Sequence, residues 1–108
     1  MPNLSQKIIN DTDTRKLTND EVKNYLAELP FWLFRDGKLF RHWDFKNFKD
    51  SKAFVDKISE LAEQVGHHPD IQFSFKYVDI EIYTHRAGGL TESDVILAAK
   101  IDELGWMC

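Results

Sequence analysis

Residues 54–82 read FVDKISELAEQVGHHPDIQFSFKYVDIEI, and the period of the apolar residues changes within this stretch. Its first part has the period of an amphipathic helix, which we predict from Asn47 or Lys49 to Val65, with Gly66 as the residue that ends it. Beyond the His-His-Pro that follows, apolar and polar residues alternate, as in strands with one covered face. The stretch therefore predicts a long helix followed by a hairpin.

The register of this hairpin is predicted from its apolar residues. If Lys76 and Tyr77 form a two-residue turn, every cross-strand pair joins two core residues. The expected pairs are Phe75 with Val78, Phe73 with Ile80, and Ile71 with Ile82. Continuing this register places position 68 opposite position 85. We therefore expect His67, His68 and His85 to meet at one end of the sheet.

The N-terminal half carries start, stop and turn signals. Residues 18–21, Thr-Asn-Asp-Glu, form a capping box, and the helix that they begin ends at Pro30. The Asp36-Gly37 dipeptide is typical of a type I′ turn, because both residues must adopt positive φ. It predicts antiparallel strands over about 31–35 and 38–45.

The last helix opens at Thr91, with Asp94 as its N3 capping partner. The predicted order is α-β-β-α-β-β-α. Its fold class is α+β, a four-stranded antiparallel sheet with three helices on one face. We expect a flexible N-terminal arm over residues 1–17 and a single domain over residues 18–108.

Composition excludes several classes of protein. The 108 residues suffice for one domain, and 43% of them are hydrophobic. A net charge of −4 does not suit direct nucleic-acid binding. The single cysteine, Cys108, excludes a disulfide framework and a CxxC site. We find no apolar run for a membrane helix, no signal peptide and no transit peptide, and expect a soluble, cytoplasmic protein.

The three histidines allow three interpretations. Capping of a helix end, or chance, is the commonest explanation of a His pair after a helix. Neutral imidazoles also suit general acid–base catalysis. A zinc site is the third interpretation, but no HExxH pattern or cysteine ligand supports it.

A wider pattern decides between these interpretations. Glu63-x-x-x-His67-His68-Pro69, followed by Phe75, His85 and Asp94, resembles the signature of the pterin-4a-carbinolamine dehydratases. The resemblance extends over about residues 18–104. It implies a four-stranded antiparallel sheet with three helices on one side. It also implies dehydration of 4a-hydroxytetrahydrobiopterin to quinonoid dihydrobiopterin, which recycles the cofactor of aromatic amino acid hydroxylases, with no metal or organic cofactor.

The resemblance also implies roles for single residues. His67 and His85 are the acid–base candidates, and His68 mainly binds and orients the pterin. The implied substrate-binding residues are Glu63, Gly66, Pro69, Tyr83, Thr84, Arg86 and Trp32. A solvated helix position is the alternative for Glu63, and a core or interface position is the alternative for Trp32. We expect Phe75 on the core face, with a substrate contact as the alternative. We expect Asp94 as a helix cap and His42 on the strand surface.

The expected partners are a pterin substrate and further copies of the chain, as a homodimer or homotetramer. Animal members of the family also act as dimerisation cofactors of a homeodomain transcription factor, through the helices of the oligomer interface. A non-catalytic binding or coactivator protein is therefore the alternative function, and a nuclear location would follow only from that role. A chaperone-like role is the third candidate function. Residues 106–108 either join an interface or fray.

Overall fold

The elements follow one another in the predicted order. The computed structural model describes residues 4–10, 12 and 14–104. In chain order its helices and strands are α1 (Asn19–Leu26), β1 (Leu33–Arg35), β2 (Lys38–Asp44), α2 (Phe48–Val65), β3 (Asp70–Phe73), β4 (Tyr77–Ile82) and α3 (Glu92–Asp102). Short 3₁₀ turns lie at Leu4–Gln6 and His85–Ala87. The α+β class and the order α-β-β-α-β-β-α are confirmed. Residues 106–108, for which an interface or fraying was predicted, lie outside the described residues.

The sheet has one apolar face and one polar face. Its strand order is β1-β2-β4-β3, with every neighbouring pair antiparallel. The apolar face contacts α2 and α3, and its central side chains are completely buried, namely Leu39, Val78, Ile80 and Ile82. We call the opposite side the open face, which carries Lys38, Phe40, His42 and Asp44 of β2 and Tyr77, Asp79 and Glu81 of β4. None of the helices in the described part of the chain is long and apolar enough to cross a membrane.

Local signals set the ends of the elements. The capping box at Thr18 begins α1, and the side chain of Asn47 caps α2. Gly66 ends α2 with a φ of 71°, a left-handed conformation that a side chain would strain. In the first hairpin Asp36 and Gly37 have φ values of 53° and 75°, as the type I′ turn requires.

The second hairpin differs from the predicted register by two residues. Phe73 pairs with Val78, and Ile71 pairs with Ile80. The backbone N–H of Ser74 donates to the carbonyl oxygen of Tyr77 at 2.9 Å, which leaves residues 75 and 76 at the turn. The predicted Lys76-Tyr77 turn and the core position of Phe75 are therefore wrong.

Contacts from distant elements explain this register. A two-residue shift keeps every apolar side chain on the same face, so alternation alone does not distinguish the two pairings. The hydroxyl of Ser51, in α2, donates to the carbonyl oxygen of Ser74 at 2.7 Å. The N–H of Phe45, just after β2, donates to the carbonyl oxygen of Lys76 at 2.7 Å. These two bonds hold the tip of the hairpin.

The N-terminal segment lies along α3. Leu4 is buried there, and Lys100 donates to the carbonyl oxygen of Ser5 at 2.7 Å. The hydroxyl of Ser93 donates to the carbonyl oxygen of Asn10 at 2.8 Å. The flexibility expected of residues 1–17, and the division from the domain that begins at residue 18, stay predictions.

Alanine substitutions can test the register. Phe75 is 54% exposed at the hairpin turn, whereas Phe54 of α2 is 1% exposed in the core. We expect Phe75→Ala to change the free energy of unfolding by less than about 0.5 kcal/mol. Phe54→Ala is the matched control and should cost roughly 3–5 kcal/mol, because it removes a buried ring and leaves a cavity. Urea denaturation measures both, and a core-sized loss for Phe75→Ala would contradict the register.

Candidate active site

A buried carboxylate joins three segments at one end of the sheet. Asp94 is the third residue of α3, and its side chain is completely buried. One oxygen, Oδ2, accepts from the backbone N–H of Thr91 at 2.8 Å and from the hydroxyl of Thr84 at 2.7 Å. The other oxygen, Oδ1, lies 2.6 Å from Nε2 of His67. The prediction that Asp94 caps α3 is confirmed. Its contact with His67 was not predicted.

The Asp94 contact fixes the protonation pattern of His67. An ionised carboxylate can only accept hydrogen bonds, so Nε2 of His67 carries the proton that it shares with Asp94. The other ring nitrogen, Nδ1, is then the one that can take up a proton in the neutral imidazole. The His67 side chain is 13% exposed, so the ring as a whole is mostly enclosed.

His68 points to a different partner from its neighbour. Its Nε2 lies 2.5 Å from Oε2 of Glu63, five residues earlier in the chain. Both side chains are exposed, in contrast to the enclosed pair that His67 forms. The left-handed Gly66 turns the chain away from α2 directly before the two histidines. An exposed carboxylate can accept hydrogen bonds from a planar heterocycle. The imidazole beside it can donate to the same heterocycle or accept from it.

His85 lies in the 3₁₀ turn that follows β4. Its Nε2 contacts the hydroxyl of Tyr83, whose oxygen also lies 3.3 Å from Nδ1. The turn is closed by the N–H of Thr84, which donates to the carbonyl oxygen of Gly89 at 2.9 Å. Arg86 follows within the turn and is exposed.

The structure links two of the three histidines through one chain of contacts. His67 contacts Asp94, Asp94 accepts from Thr84, and Thr84 is bonded covalently to His85. The pairing of position 68 with position 85 is wrong, because the observed register continues to position 83 instead. His68 is connected to His67 by the backbone and to Glu63 by its ring.

Trp32 lies in the core. Its side chain is 4% exposed, and its indole N–H donates to Oδ1 of Asp102 at 2.9 Å. Its ring meets Trp43 edge to face, with 5.9 Å between centroids. Burial raises the pKa of Asp102, although Trp32 and Arg41 both donate to it. Trp32 therefore lies in the core, which was the alternative to a pterin-binding position.

Within residues 4–10, 12 and 14–104, no three His, Cys, Asp or Glu side chains gather as a metal site requires. The His67, His68 and His85 side chains each have a different oxygen partner instead. The arrangement is suited to moving protons between ring nitrogens and a bound molecule.

The chain matches proteins that are already known. Residues 15–104 match the sequence family described as Pterin 4 alpha carbinolamine dehydratase. A protein of Alkaliphilus metalliredigens is 40% identical over 107 residues, covering 95% of this chain and 96% of the relative. One of Aquifex aeolicus is 44% identical over 90 residues, covering 83% and 91%. Both carry the name "Putative pterin-4-alpha-carbinolamine dehydratase".

Two solved structures share the fold. A transcriptional coactivator/pterin dehydratase from Brucella melitensis superposes with a TM-score of 0.79 at 29% identity, covering 85% of this chain and all of that one. A pterin dehydratase-like protein, identified as a RuBisCO assembly factor in the alpha-carboxysome, superposes with a TM-score of 0.56 at 28% identity. That match covers 68% of this chain and 84% of the other.

A pH titration tests the electrostatics of the open face, where His42 lies between two carboxylates. Its Nε2 is 2.8 Å from Asp44, and its Nδ1 is 2.5 Å from Asp79. These two hydrogen bonds raise the pKa of His42 above its usual value. The resulting stabilisation is complete below the pKa of the unfolded chain and is lost as pH rises through the raised pKa of the fold.

We therefore expect Asp79→Asn to lower the pKa of His42, measured by NMR titration of the ring. The exposed contact should stabilise the fold by less than about 1 kcal/mol. Asp70→Asn, on the neighbouring strand β3, is the matched control and should leave the titration unchanged. An unaltered His42 pKa in Asp79→Asn would contradict this account.

Proposed function

Because the chain belongs to the pterin 4 alpha carbinolamine dehydratase family, we propose that it dehydrates 4a-hydroxytetrahydrobiopterin to quinonoid dihydrobiopterin. In this reaction the C4a–O bond breaks, and the departing hydroxyl takes a proton and leaves as water. N5 loses its proton, and its electron pair forms the C4a=N5 double bond. The step involves no net oxidation and requires one group that donates a proton and one that accepts a proton. Its product then re-enters tetrahydrobiopterin recycling.

The Asp94–His67 pair is the observation that carries this proposal. A buried carboxylate that faces one ring nitrogen holds the imidazole in one orientation and one tautomer. His67 can therefore accept a proton at Nδ1 and give it back during the same turnover. His85, connected through Thr84, supplies the second proton-transfer group. We leave open which of the two acts as the acid, since interacting groups can exchange these roles.

The remaining contacts suit binding of the pterin ring. We propose that His68 and Glu63, which are exposed and adjacent, bind its amino-pyrimidine edge. The backbone of the segments that flank the histidines would contact the ring as well, through Gly66, Pro69, Tyr83, Thr84 and Arg86. The buried indole of Trp32 supports a structural role, in which it positions Asp102 and packs on Trp43. No step of this scheme requires a metal or an organic cofactor.

Histidine variants test the proposal. We expect His67→Ala and His85→Ala each to lower kcat by part of the ~10²–10⁴-fold that general acid–base groups contribute. The double variant should show only the spontaneous rate. His42→Ala is the matched control, because its ring lies between Asp44 and Asp79 on the open face. The assay follows formation of the quinonoid product by absorbance, and wild-type turnover in the double variant would refute the proposed roles.

The alternative function is a non-catalytic binding or coactivator protein on the same fold. It is supported by the Brucella structure, which is named as a coactivator as well as a dehydratase. Wild-type protein that does not exceed the spontaneous rate would favour this alternative.

We also propose a homodimer or homotetramer in the cytoplasm, with a protein partner able to use the oligomer interface. At the edge strand β1, Leu33 is 58% exposed and the preceding Phe31 is 68% exposed, so large apolar side chains face solvent in the single chain. Sedimentation equilibrium measures the assembly, and a monomer at micromolar concentration would contradict it.

A further inference from the structure

The two proton-transfer histidines have chemically different partners. His67 faces the carboxylate of Asp94, whereas the ring of His85 contacts the hydroxyl of Tyr83. A carboxylate only accepts hydrogen bonds, so the ring nitrogen that faces it must carry a proton. A hydroxyl can donate to a neutral ring nitrogen and can accept from a protonated one. The partner of His85 therefore suits both protonation states of its ring.

Strand alternation places Tyr83 beside His85. The residues on either side of Tyr83, Ile82 and Thr84, are both buried toward the helices. Because successive side chains of an extended chain point to opposite faces, Tyr83 points to the side of the open face. His85 follows two positions later, and its ring centroid lies 4.4 Å from that of Tyr83. The rings are inclined at 56°, so the pair is packed as well as hydrogen-bonded.

A second residue holds the tyrosine ring. The ammonium of Lys38, in β2, lies 4.5 Å from the centroid of the Tyr83 ring. The same ammonium lies 3.5 Å from Oε1 of Glu81, in β4. A cation above an aromatic face is attracted by the ring, and the carboxylate restricts where the ammonium can move. The Tyr83 ring is thus enclosed between Lys38 on one strand and His85 on the following turn.

We propose that Tyr83 is a positioning residue for His85, an inference that rests on the proposed function. Its hydroxyl donates to the neutral imidazole and accepts from the protonated one, so the ring keeps one orientation while it gains and loses a proton. The charged groups around the pair are Lys38 from β2, Glu81 from β4 and Arg86 within the 3₁₀ turn. Tyr83 thereby acts through its side chain, in addition to the backbone contact proposed above.

Removal of the hydroxyl provides the test. Tyr83→Phe keeps the ring and its contact with Lys38 but removes the hydrogen bond to His85. We expect kcat to fall about three- to tenfold with little change in KM, as for the loss of one hydrogen bond. Tyr77→Phe, at the start of β4 and on the same face, is the matched control, because its ring stacks on His42 instead. It should leave kcat unchanged.

A double-mutant cycle separates positioning from a general structural effect. In a His85→Ala background, Tyr83→Phe should cause no further loss, because the hydroxyl acts only through the imidazole. In a His67→Ala background, the three- to tenfold loss should persist. An equal loss in the His85→Ala background would overturn the positioning role.

An NMR measurement of the His85 ring nitrogens at one fixed pH gives a readout that does not depend on turnover. Because the Tyr83 hydroxyl contacts the ring, Tyr83→Phe should change the nitrogen chemical shifts of His85, whereas Tyr77→Phe should not. Unchanged nitrogen shifts of His85 in Tyr83→Phe would overturn the inference. Changed shifts in a protein that shows no dehydratase turnover would instead refute the proposed function and leave the hydrogen-bonded pair in place.

Discussion

Asp94 accepts hydrogen bonds at the point where the end of β4, the start of α3 and the segment after α2 meet. A buried charge is costly unless its oxygens are paired, and here both oxygens have donors. The amide groups at the start of α3 add a favourable interaction with the carboxylate. The same contacts that make the carboxylate stable in the interior therefore hold His67 in a defined place.

The pleat of β4 divides the site between the two sides of the sheet. Thr84 points toward the helices and donates to Asp94, whereas Tyr83 lies on the other side beside His85. One extended segment thus carries both a donor for the buried carboxylate and the neighbour of the second histidine. The short 3₁₀ turn after Thr84 brings the chain back to the start of α3, where the hydroxyls of Thr84 and Thr91 lie 3.2 Å apart.

Much of the fold could be predicted, because the signals are local. The capping boxes at Thr18 and Thr91, the turn at Asp36-Gly37 and the left-handed Gly66 each depend on a few neighbouring residues. The register of the second hairpin could not be predicted, since shifting it by two residues leaves the same faces buried. Its position depends on Ser51, which is distant in sequence. Phe75 was consequently predicted in the core, whereas it lies at an exposed turn.

The sequence by itself determined the order of helices and strands, the polar and apolar faces, and the set of histidines that characterises the family. Periods, caps and turns act over a few residues, so they can be read without knowing the partners of each element. Tertiary structure alone decided that Asp94 faces His67 and that Trp32 is enclosed in the core. These contacts depend on how elements pack across the fold, because side-chain partners are chosen by proximity in space and not by spacing along the chain.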